Sequence, residues 1–178
     1  MNFNYKKVIV LGNNGSGKSY FSKKLAEITK LPLIHLDNIY WRENWEHPTR
    51  DEWAKIQENL LKKDEFIIDG MYISTLEMRF SQAELIIFLD IDLSTCIDAI
   101  KARENVKRED FPRYLDQNQE KFQELLNGAY EFEEKRKPRI LELKNKYQNK
   151  DFVVFYTREE ADKYLEEIER KYDNNSSN

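Results

Sequence analysis

Apolar residues along this chain fall into short continuous runs, separated by longer stretches in which they recur every three or four positions. Val8-Ile9-Val10-Leu11 is the first run, and its unbroken character predicts a strand buried on both faces of a parallel sheet. Phe21, Leu25 and Ile28 follow at spacings of four and three, which predicts a helix over about Lys18 to Lys30 that ends ahead of Pro32. Leu33 to Leu36 reads as a second strand closing on Asp37. A helix is predicted over Thr49 to Lys63, with Thr49 as N-cap, Glu52 as its box partner and Trp53, Ile56, Leu60 and Leu61 as the apolar stripe. Glu65 to Asp69 and Glu84 to Asp90 are two further strands, each ending in an aspartate. Ser94 is expected to cap a helix reaching about Glu104. Pro112 to Tyr147 is polar and helix-prone, with a break or kink expected at Pro138. Phe152 to Tyr156 supplies a fifth strand. Thr157 and Glu160 then open an amphipathic helix with Ala161, Leu165 and Ile168 on one face, and residues 173–178 read as a polar, disordered tail.

Strands alternating with helices imply a three-layer α/β/α sandwich around a mostly parallel sheet, within one domain over residues 1–172. Residues from about 101 to 150 form a helical, lid-like insertion. Ligands of such sheets bind beyond the carboxyl ends of the strands, where Asp37, Asp69 and Asp90 lie. Hydrophobic residues make up 40% of the 178, enough for a packed core. The formal charge of −4 argues against a broad basic face for nucleic acid. The single cysteine, Cys96, leaves no intrachain disulfide and points to a reducing compartment. No apolar run approaches the roughly 20 residues of a membrane span, and Met1 to Lys7 lead into a strand rather than a signal-peptide core. The expectation is a cytoplasmic protein with no membrane partner.

Glycine usage carries the first chemical signal. Of five glycines, Gly12, Gly15 and Gly17 fall within six positions. They belong to Gly12-Asn13-Asn14-Gly15-Ser16-Gly17-Lys18-Ser19, a complete G-x-x-x-x-G-K-[ST] set between a strand and a helix. Small residues there let successive backbone N–H groups turn inward around a β-phosphate at the positive end of the helix. Lys18 would bridge β- and γ-phosphates, the Ser19 hydroxyl would enter a Mg2+ shell, and Tyr20 follows at the same nucleotide site. ATP and Mg2+ are therefore the expected cofactors. The chain lacks the N-K-x-D tetrapeptide with which a GTPase reads its base. A compact core with a charged helical insertion suits a kinase of a small acceptor.

Other residues at the active face admit two readings each. Asp69 and Asp90 both end apolar strands and both qualify as the carboxylate that holds metal-bound water. Asp37 is either an acceptor-facing carboxylate or an Asx-turn residue, and His35 reads as a buried strand histidine. Tyr40, Trp41, Trp45 and Trp53 cluster after Asp37; Trp53 sits on a core stripe, while Trp41 is suited equally to core and to a pocket that stacks a planar group. Lys101, Arg103, Lys107, Arg108 and Arg113 gather near a helix end, where cations on a closing lid would stabilise a transferring phosphoryl group. Lys135 to Arg139 is a second basic run, of which Arg136 or Arg139 can point toward phosphates.

Taken together, several stretches resemble the bacterial family of DNA topology modulation proteins, a branch of the adenylate-kinase-like P-loop kinases. They are the glycine loop, His35-Leu-Asp-Asn-Ile-Tyr-Trp41 with Trp45, Ile67-Ile-Asp-Gly-Met-Tyr72 with Arg79, Ile86-Ile-Phe-Leu-Asp90, and the basic segment Lys101 to Asp110. The resemblance implies a P-loop NTPase fold with sheet order 2-3-1-4-5. It favours Asp69 over Asp90 at the metal. It places Asp37, Trp41, Tyr72, Arg79 and Arg108 toward the acceptor and makes Arg103 a lid cation, and it points to a nucleoside monophosphate or related nucleotide as acceptor. A non-nucleotide hydroxyl acceptor, and a regulatory or DNA-associated nucleotide-binding protein, remain the other two readings.

Overall fold

In the computed structural model, which describes residues 3–104 and 119–176, the five apolar runs become β1 (Lys7–Gly12), β2 (Leu33–His35), β3 (Phe66–Asp69), β4 (Leu85–Leu89) and β5 (Asp151–Phe155). All neighbours pair in parallel, in the order β2-β3-β1-β4-β5. That is the expected order. It puts β1 at the centre, so the glycine loop leaves the sheet at its middle. In register, His35 lies beside Asp69 and Asp69 beside Val10.

Successive residues of a strand point to opposite faces, and the two halves of the core divide accordingly. Ile9, Leu11, Ile68, Ile86 and Phe88 pack with Trp53, Phe80, Ile140 and Leu143 on one side. Val8, Val10, Ile67, Ile87 and Leu89 pack with Phe21, Leu25, Cys96, Leu165 and Ile168 on the other. The first side is covered by α3 (Arg50–Leu61), α4 (Leu76–Gln82) and α7 (Lys137–Lys146). The second is covered by α1 (Lys18–Thr29), α5 (Leu93–Lys101) and α8 (Arg158–Ser176). A one-turn helix, α2 (Asp37–Tyr40), follows β2, and α6 (Gln119–Tyr130) lies against α5.

Local chemistry sets most helix starts as read from sequence. Thr49 and Glu52 exchange both bonds of a capping box, and Thr157 and Glu160 do the same for α8. Three features differ from the sequence reading. The cap of α5 is Asp92 rather than Ser94; its Oδ1 accepts from the Thr95 N–H at 2.9 Å and from the Ser94 hydroxyl at 2.6 Å. The break expected at Pro138 falls earlier, as a π-helical turn over Phe132–Arg136, and Pro138 sits in the first turn of α7, where its missing N–H costs nothing. The last helix continues to Ser176, through positions expected in the polar tail. Among the described residues no helix is long and apolar enough to cross a membrane.

The Asp92 cap yields a pH prediction. Bonds from Ser94 and Thr95 lower its carboxyl from the ordinary 3.8 to about 2. A depressed folded-state pKa adds stability that is present above the ordinary value and lost as pH falls toward 2. The stability gap between wild type and Asp92→Ala, from urea unfolding at stepped pH, is expected to be constant near neutrality and to narrow below pH 4.

Candidate active site

The chain leaves β1 at Gly12, turns through the glycine loop and enters α1, whose N-cap is Gly17 at φ +98°. The Lys18 ammonium donates to the Asn13 carbonyl across the loop at 2.7 Å, which holds its charge at the centre of the nest. Asn14, Gly15, Gly17, Lys18, Ser19 and Tyr20 all line one cavity of about 1340 Å3. Gly12, Asn13 and Ser16 stand behind that lining. Asn13 and Ser16 are buried, and among the described residues the Ser16 hydroxyl has no hydrogen-bond partner.

The two asparagines of the loop spend their side chains on the insertion. Asn13 Nδ2 donates to the Ala129 carbonyl at 3.0 Å, and Asn14 Nδ2 donates to the Leu125 carbonyl at 3.1 Å. Both acceptors belong to α6, so the loop that would hold phosphate also anchors the insertion. Gly128 of α6 completes the fit: a Cβ there would lie 3.1 Å from Asn14 Nδ2 and 3.2 Å from Arg136 Nη2. The missing side chain lets the Arg136 guanidinium, delivered by the π-helical turn, pass close to the loop and line the cavity. Arg139, the other arginine of that basic run, instead pairs with Glu77 and Glu142.

Arg103 also lines the cavity, with its Nε donating to the Ala99 carbonyl at 3.0 Å. Arg108, expected to support it, lies outside the described residues. Arg158 was not anticipated: its Nη2 donates to the Gly15 carbonyl at 2.8 Å from the first turn of α8. The available signal was a basic residue where the positive helix end favours acids.

The cavity's other end is built by the strand ends and the loops after them. Asp69 lines it, 5% exposed, with Oδ2 3.1 Å from His35 Nδ1. Asp90 does not line it; its Oδ1 pairs with Lys137 at 2.8 Å and ties α7 to the end of β4. Asp37 lines the cavity in the first turn of α2, and its Oδ1 accepts from the Tyr72 hydroxyl at 2.7 Å. Burial first, then the Asp37 charge, push the Tyr72 phenol far above its ordinary range, so it remains a donor to Asp37. Trp41 also lines this end, as expected of a pocket residue, whereas Trp53 is buried in the core.

Arg79 is a correction to the sequence reading. It is fully buried and absent from the cavity wall, and its Nη2 donates to the carbonyls of Met71 at 2.8 Å and Tyr72 at 3.1 Å. Burial lowers its guanidinium to about 9, which still leaves it cationic at neutral pH. Its place on α4 turns it under the Met71–Tyr72 loop, so it props that loop from behind instead of facing a ligand.

Ser19 and Asp69 are hard oxygen donors that line the same cavity. That donor set fits Mg2+, which takes one or two protein oxygens and fills the remaining positions with water and phosphate.

The sheet order, with the glycine loop leaving the central strand, is that of the P-loop NTPase fold, which solved kinase structures share. No protein-family model matches the chain. No curated protein matches it either. Among solved structures it is similar to shikimate kinase from Acinetobacter baumannii in complex with shikimate, at 16% identity and a TM-score of 0.58, over 93% of each chain. It is also similar to shikimate kinase from Bacteroides thetaiotaomicron, at 16% identity and a TM-score of 0.55 over 95% of this chain and 99% of that one. A gluconokinase from Sinorhizobium meliloti 1021 matches at 18% identity and a TM-score of 0.50, over 97% of this chain and 91% of that one.

Proposed function

We propose that this chain is an ATP-dependent kinase that transfers the γ-phosphoryl group of Mg2+·ATP to a hydroxyl of a small molecule. The observation that carries this reading is a single cavity with the phosphate loop and Lys18 at one end and the Asp37 carboxylate at the other. Backbone N–H groups of the loop would hold the donor phosphates, with Lys18, Arg136 and Arg103 facing the charge that spreads over the transferring group. Mg2+ would neutralise part of that charge, held by the Ser19 hydroxyl and, through water, by Asp69. Asp37, oriented by the Tyr72 hydroxyl, would accept the proton of the attacking hydroxyl. The solved structures it resembles include a shikimate kinase in complex with shikimate and a gluconokinase, which is in keeping with this reading.

A nucleoside monophosphate, the acceptor favoured by the likeness to the topology modulation family, brings a phosphate of its own. Of the two arginines expected to meet it, Arg79 is buried beneath the loop and Arg108 lies outside the described residues. The burial of Arg79 favours a hydroxyl acceptor without that phosphate. The regulatory or DNA-associated alternative has only the family resemblance behind it, against a formal charge of −4.

The test is ADP formation from Mg2+·ATP over a panel of nucleosides, nucleoside monophosphates and hydroxy acids, with an acceptor-free control. Stimulation by a hydroxyl acceptor is the expected result, and slow hydrolysis that nothing accelerates would overturn the reading. With the acceptor in hand, Asp37→Asn keeps the side-chain shape and still accepts from Tyr72. It is expected to lower kcat by about 10²- to 10⁴-fold with the KM for ATP unchanged.

A further inference from the structure

The acceptor end of the cavity is aromatic to a degree that phosphoryl transfer alone does not require. Trp41 and Trp45 both line it and meet edge to face, with ring centroids 5.4 Å apart and an interplanar angle of 72°. Trp41 leans in turn on Tyr40 at 5.0 Å. Tyr40 is itself fixed by stacking on His47 (5.3 Å, 7°) and by contact with Trp53 at 4.9 Å. The platform is therefore rigid before any ligand arrives. A preorganised aromatic surface loses little entropy when a ring binds it.

Trp45 is presented by strained backbone. Asn44 and Trp45 occupy the left-handed region in succession, at φ +56° and +61°. For a bulky residue this is an outlier, and such outliers persist where the surroundings over-determine them. Here the turn is closed by the Arg42 N–H donating to the Glu46 carbonyl at 2.8 Å. The Trp45 ring is covered from across the cavity by the Lys121 ammonium, 5.4 Å from its centroid. Lys121 is itself paired with Glu124 at 2.8 Å.

These walls select among hydroxyl acceptors. A planar heterocycle can stack on an indole over its whole face, whereas a polyol or sugar acid meets it only through C–H groups and gains less from it. A phosphomonoester needs a cation, and the arginine expected to meet it, Arg79, is buried behind the wall, while Lys121 is engaged with Trp45 and Glu124. A planar heterocycle carrying an uncharged sugar meets both conditions.

We propose that the acceptor is a nucleoside, with its base on the Trp41–Trp45 platform and a sugar hydroxyl at Asp37. That hydroxyl oxygen would form the new bond to the γ-phosphorus of ATP as the β–γ bridging bond breaks. ADP leaves with the bridging oxygen, the hydroxyl proton passes to Asp37, and the product is a nucleoside monophosphate. The assignment rests on the kinase reading above and commits it to one acceptor class.

The experiment has two arms on the full chain. The first titrates nucleosides, nucleoside monophosphates, shikimate and gluconate while following tryptophan emission, which reports binding without turnover. The second measures KM and kcat for the accelerating acceptor in wild type, Trp45→Ala and Trp45→Phe. A nucleoside is expected to quench emission saturably and to stimulate ADP formation. Trp45→Ala is expected to raise the KM for it by about 10- to 100-fold, with kcat and the KM for ATP little changed, and Trp45→Phe to recover most of the loss. Should Trp45→Ala fail to fold, the wild-type titration and Trp45→Phe carry the test. Phosphorylation of gluconate, shikimate or a nucleoside monophosphate in place of nucleosides would overturn the nucleoside assignment and leave the kinase standing. Saturable quenching by a nucleoside with no acceptor-stimulated ADP formation would support the base platform and overturn the kinase. No quenching by any nucleoside would overturn the platform.

Discussion

Lys18→Ala is expected to reduce phosphoryl transfer by at least about 10³-fold, roughly 4 kcal/mol of transition-state stabilisation, while leaving the thermal midpoint within a few degrees of wild type. The asymmetry follows from where Lys18 sits. Its ammonium donates to the Asn13 carbonyl at 2.7 Å and lies on the cavity wall rather than in the apolar core. Removing it takes no apolar area from the core, so folding loses little. Catalysis loses the one cation that the loop holds at its centre. Arg103 and Arg136 reach the same cavity from α5 and from the π-helical turn, and neither starts within the loop. Single-turnover transfer with thermal unfolding on the same sample measures both halves. Undiminished transfer by the variant would mean the loop is not the donor site.

Gly15→Ala is expected to act on folding and on binding together, with a loss of about 3 kcal/mol or more. A Cβ at this position would lie 2.2 Å from the Cys96 carbonyl oxygen and 3.0 Å from Ile100 Cγ1, both on α5. The first clash is with backbone, which cannot rotate away as a side-chain tip would. Overpacking of this kind costs about 1–3 kcal/mol, and the left-handed conformation at φ +79° adds about another 1–2 for any residue with a Cβ. Gly17→Ala is the informative control. Among the described residues its Cβ would meet only Arg158 Nε, at 3.9 Å, so it carries backbone strain without the clash. Urea unfolding of the pair should rank Gly15→Ala well below Gly17→Ala; equal stabilities would show that α5 yields to the added methyl group.

These glycines show how far the sequence could be read. A strand, three glycines, lysine and serine in that spacing announce a phosphate nest, because each residue type answers a need within a few positions along the chain. The same locality made the capping boxes at Thr49 and Thr157 legible, and the two-sided burial of β1, β3 and β4. It did not reveal that Gly15 is small for the sake of α5, nor that Asn13 and Asn14 spend their side chains on α6. Asn13 and Ala129 are 116 positions apart, and no pattern around either one names the other.

At the other end of the cavity the sequence offered pairs of equals. Asp69 and Asp90 close similar strands, so the residue pattern alone did not separate them and only the family resemblance favoured Asp69; in the fold Lys137 reaches Asp90 while Asp69 is left on the cavity wall. Arg79 follows an Asp-Gly turn at a distance suited to a ligand contact, yet the placement of α4 turns it into the wall. Trp45 read as one aromatic among several until its backbone conformation and its contacts with Trp41 and Lys121 set it apart. By itself the sequence determined the layered fold, the phosphate loop and the carboxylates at the strand ends, since these depend on short-range periodicity and on residue chemistry. The tertiary structure decided which aspartate, which arginines and which aromatic rings share the cavity, because that depends on how helices far apart in the chain settle against the sheet.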